Sequence, residues 1–164
     1  MHQRTTRLFL SLIIVIAMAL AAHAQTAPAP AYGMSISIGE AKKIAATSVA
    51  EARKNNWTMA IAVVDTAGNL VYFEKMDGTQ TGSVNVAIEK ARSAVLFKRP
   101  TKSFQDTVAQ GGAGLRMLGL PGAVPVEGGI PLMENGKIIG AIGASGGTSD
   151  QDGQAAQAGA SLMK

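Results

Sequence analysis

The chain has 164 residues, a formal net charge of +4 and no cysteine, and its two histidines, His2 and His23, both lie in the first 24 residues. Beyond residue 24 the sequence therefore excludes Ser-His-Asp and Cys-His catalytic groups, zinc sites of the usual kind, disulfides, and histidine or thiolate ligands for haem iron. Without Arg4 and Arg7 the 15 basic residues become 13, against 11 acidic ones. No basic run interleaved with aromatic residues indicates a nucleic-acid partner.

The N-terminal residues have the order of a secretory signal peptide. Arg4 and Arg7 precede an apolar run that is broken at Ser11 and continues to Ala22, and Ala22-His23-Ala24 is a small-x-small cleavage site. The alternative is an uncleaved membrane anchor, because the run is nearly long enough to span a bilayer. We predict a signal peptide over 1–24, a flexible Pro/Ala spacer over 25–35 and one domain over 36–164. The mature protein would begin near Gln25, be periplasmic or secreted, and have no membrane contact after cleavage.

The first half of the domain predicts a helix followed by a hairpin. Apolar and small residues recur at helical spacing from Glu40 to Arg53, and Asn55-Asn56 ends the pattern. The continuous apolar run Met59 to Val64 is typical of a strand covered on both faces. A turn over 65–69 and a second strand, Leu70 to Phe73, complete the hairpin.

A second helix and a glycine-rich region follow. One buried helical face is predicted for Val84, Ala87, Ile88, Ala91 and Val95. Pro100 ends this helix, since proline disfavours helix in the residue before it. Thr101 is a candidate cap for a short helix through Ala109. The segment Gly111 to Gly122 predicts a loop with one helical turn at 115–118.

The last third predicts another hairpin and a final helix. Asn135-Gly136 between the apolar runs Ile130 to Met133 and Lys137 to Ala144 is the strongest short hairpin signal. Thr148 to Gln151 fits a capping box that starts a helix extending to about Leu162. Two hairpins and apolar strands predict a single α+β domain, with an antiparallel sheet and helices on both faces.

Glycine-rich and charged stretches each have two interpretations. Free amides where Gly140 to Gly147 enters the last helix would favour an anion, but Asp150 and Asp152 would repel it, so close packing is favoured. Gly128 to Pro131 is a bend before an edge strand, or an open pocket wall. Asp65 is most simply a turn residue that accepts its own backbone amides.

Lys75 and Asp77 close the first hairpin and are most simply an exposed pair of little energetic value. Alternatively they face a pocket with Lys90. In such a pocket a buried lysine would be a candidate acid, base or carboxylate anchor.

Taken together and in order, these motifs resemble the GlcG/HbpS-like family of haem-binding proteins, also called the haem-degrading domain family. The resemblance covers about Ile38 to the C-terminus. It is carried by Ala-Val-Val-Asp-x-x-Gly (62–68), Lys-Met-Asp-Gly (75–78), Ala-x-x-Lys-Ala (87–91), Pro-Thr (100–101), Gly-Gly-x-Pro (128–131), Asn-Gly-x-x-x-Gly-Ala-x-Gly-x-Ser-Gly (135–146) and Gln-Asp (151–152).

The resemblance implies a profilin-like domain, homo-oligomeric assembly, and binding of haem or a related small ligand. The matched positions then become a predicted ligand-binding set: Asp65, Lys75, Asp77, Lys90, Thr101, Gly128, Gly129, Pro131, Ser145 and Gly146. The sequence departs from the family at Lys75, where members often have arginine, and in lacking the histidine ligand of some relatives. Iron would then be held by Met, Tyr or Lys, or by no side chain.

Two functions follow as hypotheses. The first is an exported protein that binds haem or another small ligand for handling or sensing, with no catalytic residue and no metal site of its own. The alternative is an enzyme or accessory protein acting on a small metabolite such as glycolate or another 2-hydroxy acid. That enzyme would use Lys90 with Asp65 or Asp77 as proton carriers, and it would need a lysine or carboxylate with a displaced pKa.

Overall fold

The structure, a computed structural model, describes residues 28–163. Its sheet has four antiparallel strands in the order β2-β1-β4-β3, namely β1 (Ala60–Val64), β2 (Leu70–Lys75), β3 (Gly129–Glu134) and β4 (Lys137–Ser145). Both predicted hairpins are confirmed as β1–β2 and β3–β4, and β1 pairs with β4 in the centre. The α+β class is thus confirmed, while the predicted signal peptide lies outside the described residues.

Within residues 28–163, four α-helices and one 3-10 helix surround the sheet: α1 (Ile38–Lys54), α2 (Ser83–Leu96), α3 (Lys102–Ala109), the 3-10 helix (Gly112–Gly119) and α4 (Ser149–Ala160). Capping boxes begin two of them. The Ser37 hydroxyl accepts from the Glu40 amide at the start of α1, and the predicted Thr148–Gln151 box is confirmed at the start of α4. Each satisfies backbone amides that a helix start leaves free.

The two faces of the sheet are packed differently. Ile61, Val63 and Ile142 belong to the main core cluster with α1 and α4, and burying each such side chain contributes roughly 1.5–3 kcal/mol. On the opposite face Ala60 and Ala62 pack with Ala87 of α2. A Cβ at Gly143 in β4 would collide with the Ala87 carbonyl oxygen. Small residues therefore let α2 lie directly against the strands, as the packing interpretation of the Gly140–Gly147 run predicted.

This close approach changes which side chains of α2 are buried. Val84 and Ile88 are only partly buried, whereas Ser83, Lys90 and Ser93 are fully buried. The predicted apolar face is therefore partly wrong. A search for apolar residues at helical spacing cannot find this buried face, because at so close an interface serine side chains are small enough to be buried and a lysine can be buried if it has an ionic partner.

Thr101 does not cap α3 as predicted. It has helical backbone angles and makes no side-chain cap bond. Instead it bonds the first residue of β3: its hydroxyl accepts from the Gly129 amide at 2.9 Å, and its own amide donates to the Gly129 carbonyl at 2.9 Å. β3 is the edge strand, and the backbone N–H and C=O groups of Gly129 point away from β4. The backbone of Pro131, two residues further on, points the same way, so the N–H that proline lacks would not have bonded within the sheet.

The last residues of the predicted spacer are part of the fold. The Ile138 amide donates to Ala31, the Gly33 amide donates to Ile138, and the Tyr32 hydroxyl donates to the Val95 carbonyl at 2.9 Å. This segment therefore continues the sheet beside the start of β4. Between residues 28 and 163, no helix is both long and apolar enough to cross a bilayer.

Candidate functional site

A cleft of about 330 Å³ opens where β3 begins, next to the start of α3 and the first turns of α4. Pockets that hold small ligands start at about this size. Three kinds of group line it: backbone at three glycines, apolar side chains, and polar or charged side chains. They are Gly128, Gly129, Gly153, Pro100, Ile130, Lys102, Glu127, Gln154 and Gln157.

Glycine is required at the back of the cleft. Gly128 has φ +127°, a backbone conformation that L side chains rarely adopt. A Cβ there would lie 2.6 Å from the Ala144 carbonyl oxygen and 2.9 Å from the Lys90 ammonium. The Gly128 carbonyl also accepts from the Ala144 amide at 2.9 Å. This wall of the cleft is therefore formed by backbone atoms, and the buried ammonium of Lys90 lies directly behind it.

The buried charge is one half of an ion pair between two helices. The Lys90 ammonium of α2 donates to the Asp152 carboxylate of α4 at 2.7 Å and to the Ala144 carbonyl at 3.2 Å. Lys90 is only 1 % exposed. The second Asp152 oxygen accepts from the Gly147 amide at 3.0 Å. Burial raises the pKa of Asp152, and the hydrogen bond and charge of Lys90 oppose that rise.

This pair argues against the anion site considered at the start of α4. The Gly147 amide is already occupied by the carboxylate of the helix's own Asp152. A bound anion would lie beside that carboxylate, which the helix start stabilises in its place. The glycines that precede α4 thus serve packing and the ion pair.

The acid that lines the cleft, Glu127, is less well satisfied than Asp152. Glu127 is 18 % exposed at its side chain, and its Oε2 atom is buried without a hydrogen-bond partner. The Lys102 ammonium is 3.9 Å from that oxygen but bonds Asp106 at 2.8 Å. Burial raises the pKa of Glu127, and the nearby carboxylates of Asp150 and Asp106 raise it further against the effect of Lys102 and Lys90.

Four of the predicted site residues meet at the cleft. Gly128 and Gly129 line it. Lys90 lies behind Gly128, and Thr101 lies behind Gly129, where a Cβ would come within 2.7 Å of the threonine methyl group. Lys90 and Thr101 therefore support the wall but do not line the cleft, because both are fully buried and already hydrogen-bonded.

The other predicted site residues do not line the cleft. Ser145 is buried with its hydroxyl 3.1 Å from that of Ser83, and Gly146 lies against the Thr58 carbonyl. Pro131 is on β3. Lys75 is exposed at the end of β2, and Asp77 is exposed in the turn that follows it.

Asp65 is a turn residue, as the simplest interpretation predicted. It accepts the amides of Ala67 at 2.9 Å and Asn69 at 2.8 Å. Desolvation acts to raise its pKa, but bonds from the Asn69 side chain and from backbone amides outweigh it, so the pKa is lowered. The proton carriers proposed for an enzyme are thus separated, with Lys90 paired, Asp65 committed to a turn and Asp77 exposed.

Glu127, Lys102, Gln154 and Gln157 line the cleft but were missed from the sequence. Glu127 directly precedes Gly128-Gly129, and that adjacency is the one signal that could have found it. The two glutamines are three residues apart on α4, which places them on one face of the helix.

The cleft does not fit haem. Its lining contains no Met or Tyr, and the side chains there that could contact iron are Lys102 and Glu127. Carboxylates of Asp106, Glu127 and Asp150 would oppose the propionate groups of haem. Within residues 28–163, no three metal-binding acidic side chains cluster around a possible ion.

A different surface is apolar. The stretch 115–126, called here the apolar segment, begins in the 3-10 helix and ends beside Glu127. Four of its large apolar side chains are 37–63 % exposed: Leu115, Leu118, Leu120 and Val126. Met117 in the same stretch is partly exposed. Such a concentration of exposed apolar groups is typical of an interaction site.

Comparison with known proteins gives one consistent result. Residues 36–161 match the family model described as haem degrading protein HbpS-like. The chain is 39 % identical over 105 residues to protein GlcG of Escherichia coli K12, an alignment that covers 64 % of this chain and 77 % of GlcG.

Two solved structures have the same fold. A double mutant of HbpS from Streptomyces reticuli is 31 % identical, with a TM-score of 0.72, over 85 % of this chain and 98 % of that one. The crystal structure of a PduOC–haem complex is 27 % identical, also with a TM-score of 0.72, over 80 % of this chain and 96 % of that one.

Proposed function

The chain belongs to the HbpS-like family of haem-degrading proteins, and on that premise we propose that it is an exported binding protein for haem or a related small ligand. Its role would be handling or sensing that ligand in the periplasm or outside the cell. Export rests on the signal-peptide pattern of residues 1–24. Haem as the ligand is supported by the PduOC–haem complex, whose fold this chain shares.

The observation that carries the proposal is the apolar segment. Haem is a flat, mainly apolar molecule, and covering exposed leucines with it removes apolar surface from water on both partners. The acidic cleft opposes its propionates, whereas residues 115–126 contain no carboxylate and one cation, Arg116. We therefore place haem on the apolar segment and not in the cleft.

Met117 is the residue of this segment that would hold haem iron. Thioether sulfur is an established axial ligand of haem iron. Met117 is partly exposed, whereas Met59 is fully buried in the core. Lys90 is unsuited to this role because its ammonium is bound to Asp152.

The test is a haemin titration of the chain beginning at Gln25, followed by absorbance in the Soret region. The proposal expects a saturable shift near one haem per protomer, and a changed spectrum for Met117→Ala. Met34→Ala is the matched control, because Met34 is 88 % exposed and lies outside the apolar segment. A shift that never saturates, or two variants that both behave like the parent, would contradict this assignment.

Homo-oligomeric assembly is the second part of the proposal, and the same apolar segment offers a surface for it. Light scattering of the ligand-free protein distinguishes the two uses. If Leu118→Ser reduces the oligomer to monomers while haem still binds, the segment is an interface between subunits and not the haem surface.

A further inference from the structure

We propose that the cleft at Gly128-Gly129 binds a small organic cation, a primary alkylammonium group, through the carboxylate of Glu127. This site is separate from the haem surface proposed above. It rests on three properties of the cleft: an acceptor without a partner, an excess of negative charge, and a lining that suits a short hydrocarbon chain.

The acceptor is Oε2 of Glu127, which is buried and has no hydrogen bond. Its nearest cation, the Lys102 ammonium, is 3.9 Å away and is directed to Asp106 at 2.8 Å. A buried carboxylate oxygen is unfavourable unless a donor reaches it. Glu127 itself lines the cleft, so a donor carried by a ligand there can approach its carboxylate.

The charge around this oxygen is negative. The Lys102 ammonium lies 2.8 Å from Asp106 and 3.9 Å from Glu127, and the charge of Asp150 also raises the pKa of Lys102. The second nearby cation, Lys90, is neutralised by Asp152 at 2.7 Å. A ligand with a positive charge therefore gains at this position, whereas a carboxylate would be repelled.

The rest of the lining suits a short apolar body. Pro100, Ile130 and the glycine backbone provide apolar surface, and the side-chain amides of Gln154 and Gln157 lie on the α4 side. A cleft of about 330 Å³ accepts only a small ligand. A bare metal ion is disfavoured, because no three acidic ligands of the described chain converge on one point.

The probe is butylammonium, compared with butyrate and 1-butanol, which have the same number of carbons but carry a carboxylate or a hydroxyl in place of the ammonium. Each is titrated into the 15N-labelled chain from Gln25, which contains all of the described fold. The amide signals of Gly128, Gly129 and Gly153 report on the cleft, and those of Gly68 and Gly136 report on distant turns. We expect saturable shifts at the three cleft glycines with butylammonium, and affinity weaker by about tenfold or more for the other two probes.

Two variants locate the site. Glu127→Gln keeps the side-chain shape, removes a buried charge, and should weaken butylammonium binding by about tenfold or more. Glu134→Gln, at an exposed glutamate in the second hairpin, is the control and should change nothing. Gln157→Lys brings a fixed cation to the cleft and should also prevent binding, while Gln110→Lys, outside the lining, should not.

The proposal is overturned if butyrate binds as well as butylammonium, or if all three probes shift the cleft glycines equally. It is equally overturned if Glu127→Gln binds butylammonium like the parent, or if calcium chloride shifts the same signals and displaces the amine. None of these outcomes depends on haem. Failure here therefore leaves the haem proposal standing, and the reverse also holds.

Discussion

The cleft and the apolar segment are neighbours in sequence but are built in opposite ways. The cleft is backed by fully buried groups: the Lys90–Asp152 pair, Thr101, and glycines at which a side chain would collide with backbone. The apolar segment follows Gly111 and Gly112, both at positive φ and with nothing within 4 Å of an added Cβ. One surface is fixed by the core and acidic, and the other is exposed and apolar.

If both proposals hold, this difference is how one small domain carries two binding surfaces. A rigid polar cleft selects a ligand by charge, because its acceptors cannot move to suit another one. An exposed apolar stretch selects by surface area, and it can serve a flat ligand or a second subunit. Most of the substitutions below alter one of the two surfaces, and the measurements test whether stability or binding at the other surface changes.

The largest expected effect is on stability, when the buried Lys90–Asp152 pair behind the cleft is broken. Lys90→Met leaves Asp152 buried without its partner and should lower the free energy of unfolding by about 3–5 kcal/mol. The double variant Lys90→Met with Asp152→Leu should recover most of that loss, because no buried charge remains. Urea denaturation followed by circular dichroism measures both.

Lys102→Met is the matched control for that experiment. Its pair with Asp106 is solvent-exposed, so the urea midpoint should hardly move. If Lys90→Met is as stable as the parent, the claim that the buried ion pair supports the cleft wall is wrong.

The next effect concerns the wall itself. Gly128→Ala forces alanine into φ +127° against the Ala144 carbonyl and should cost about 1–3 kcal/mol, with loss of butylammonium binding. Gly136→Ala, at φ +74° with open space around it, carries only the backbone cost of about 1–2 kcal/mol. Equal thermal shifts for the two variants would show that the close contacts at Gly128 do not matter.

A smaller effect is expected on the apolar segment. Leu118 is 63 % exposed, so Leu118→Ser should leave stability within about 0.5 kcal/mol and weaken haemin binding by about tenfold. Val86→Ser, at an exposed valine on the outer side of α2, should not affect haemin binding. Butylammonium binding should be unchanged in both.

The smallest effect depends on pH. Because burial raises the pKa of Glu127, ionising this group is less favourable in the folded protein than in the unfolded chain. Its contribution to stability therefore falls as pH rises from the ordinary value of glutamate through the raised value. The melting temperature of Glu127→Gln relative to the parent should rise between pH 4 and pH 7, and a constant difference would contradict the raised pKa.

Much of the fold could be predicted from sequence because its signals are local. The Asn135-Gly136 hairpin is predicted from the geometry of its own turn, and the Thr148–Gln151 capping box from a single helical turn. The strand that ends at Val64 is predicted from a continuous apolar run, which indicates burial on both faces. Each of these was confirmed. The family match of residues 36–161 added what one sequence cannot supply, a shared fold with known structures.

The site was harder to predict because it depends on contacts between distant residues. Lys90 and Asp152 are 62 residues apart, and Thr101 and Gly129 are 28 apart. A buried lysine looks the same in sequence as an exposed one, so Lys90 could be suspected but its partner could not be named. Glu127 was missed for a related reason: its isolation follows from Lys102 being drawn to Asp106, which only the folded arrangement determines.

The most direct test of this account is a haemin titration of the chain from Gln25 in the presence and absence of saturating butylammonium. The account predicts a saturable Soret shift near one haem per protomer in both, with the same affinity, because the apolar segment and the cleft are separate surfaces. If butylammonium displaces haem, the two ligands share one site and the division made here is wrong. If haemin gives no saturable shift in either titration, haem binding by this member of the family, which has no histidine beyond residue 24, is contradicted.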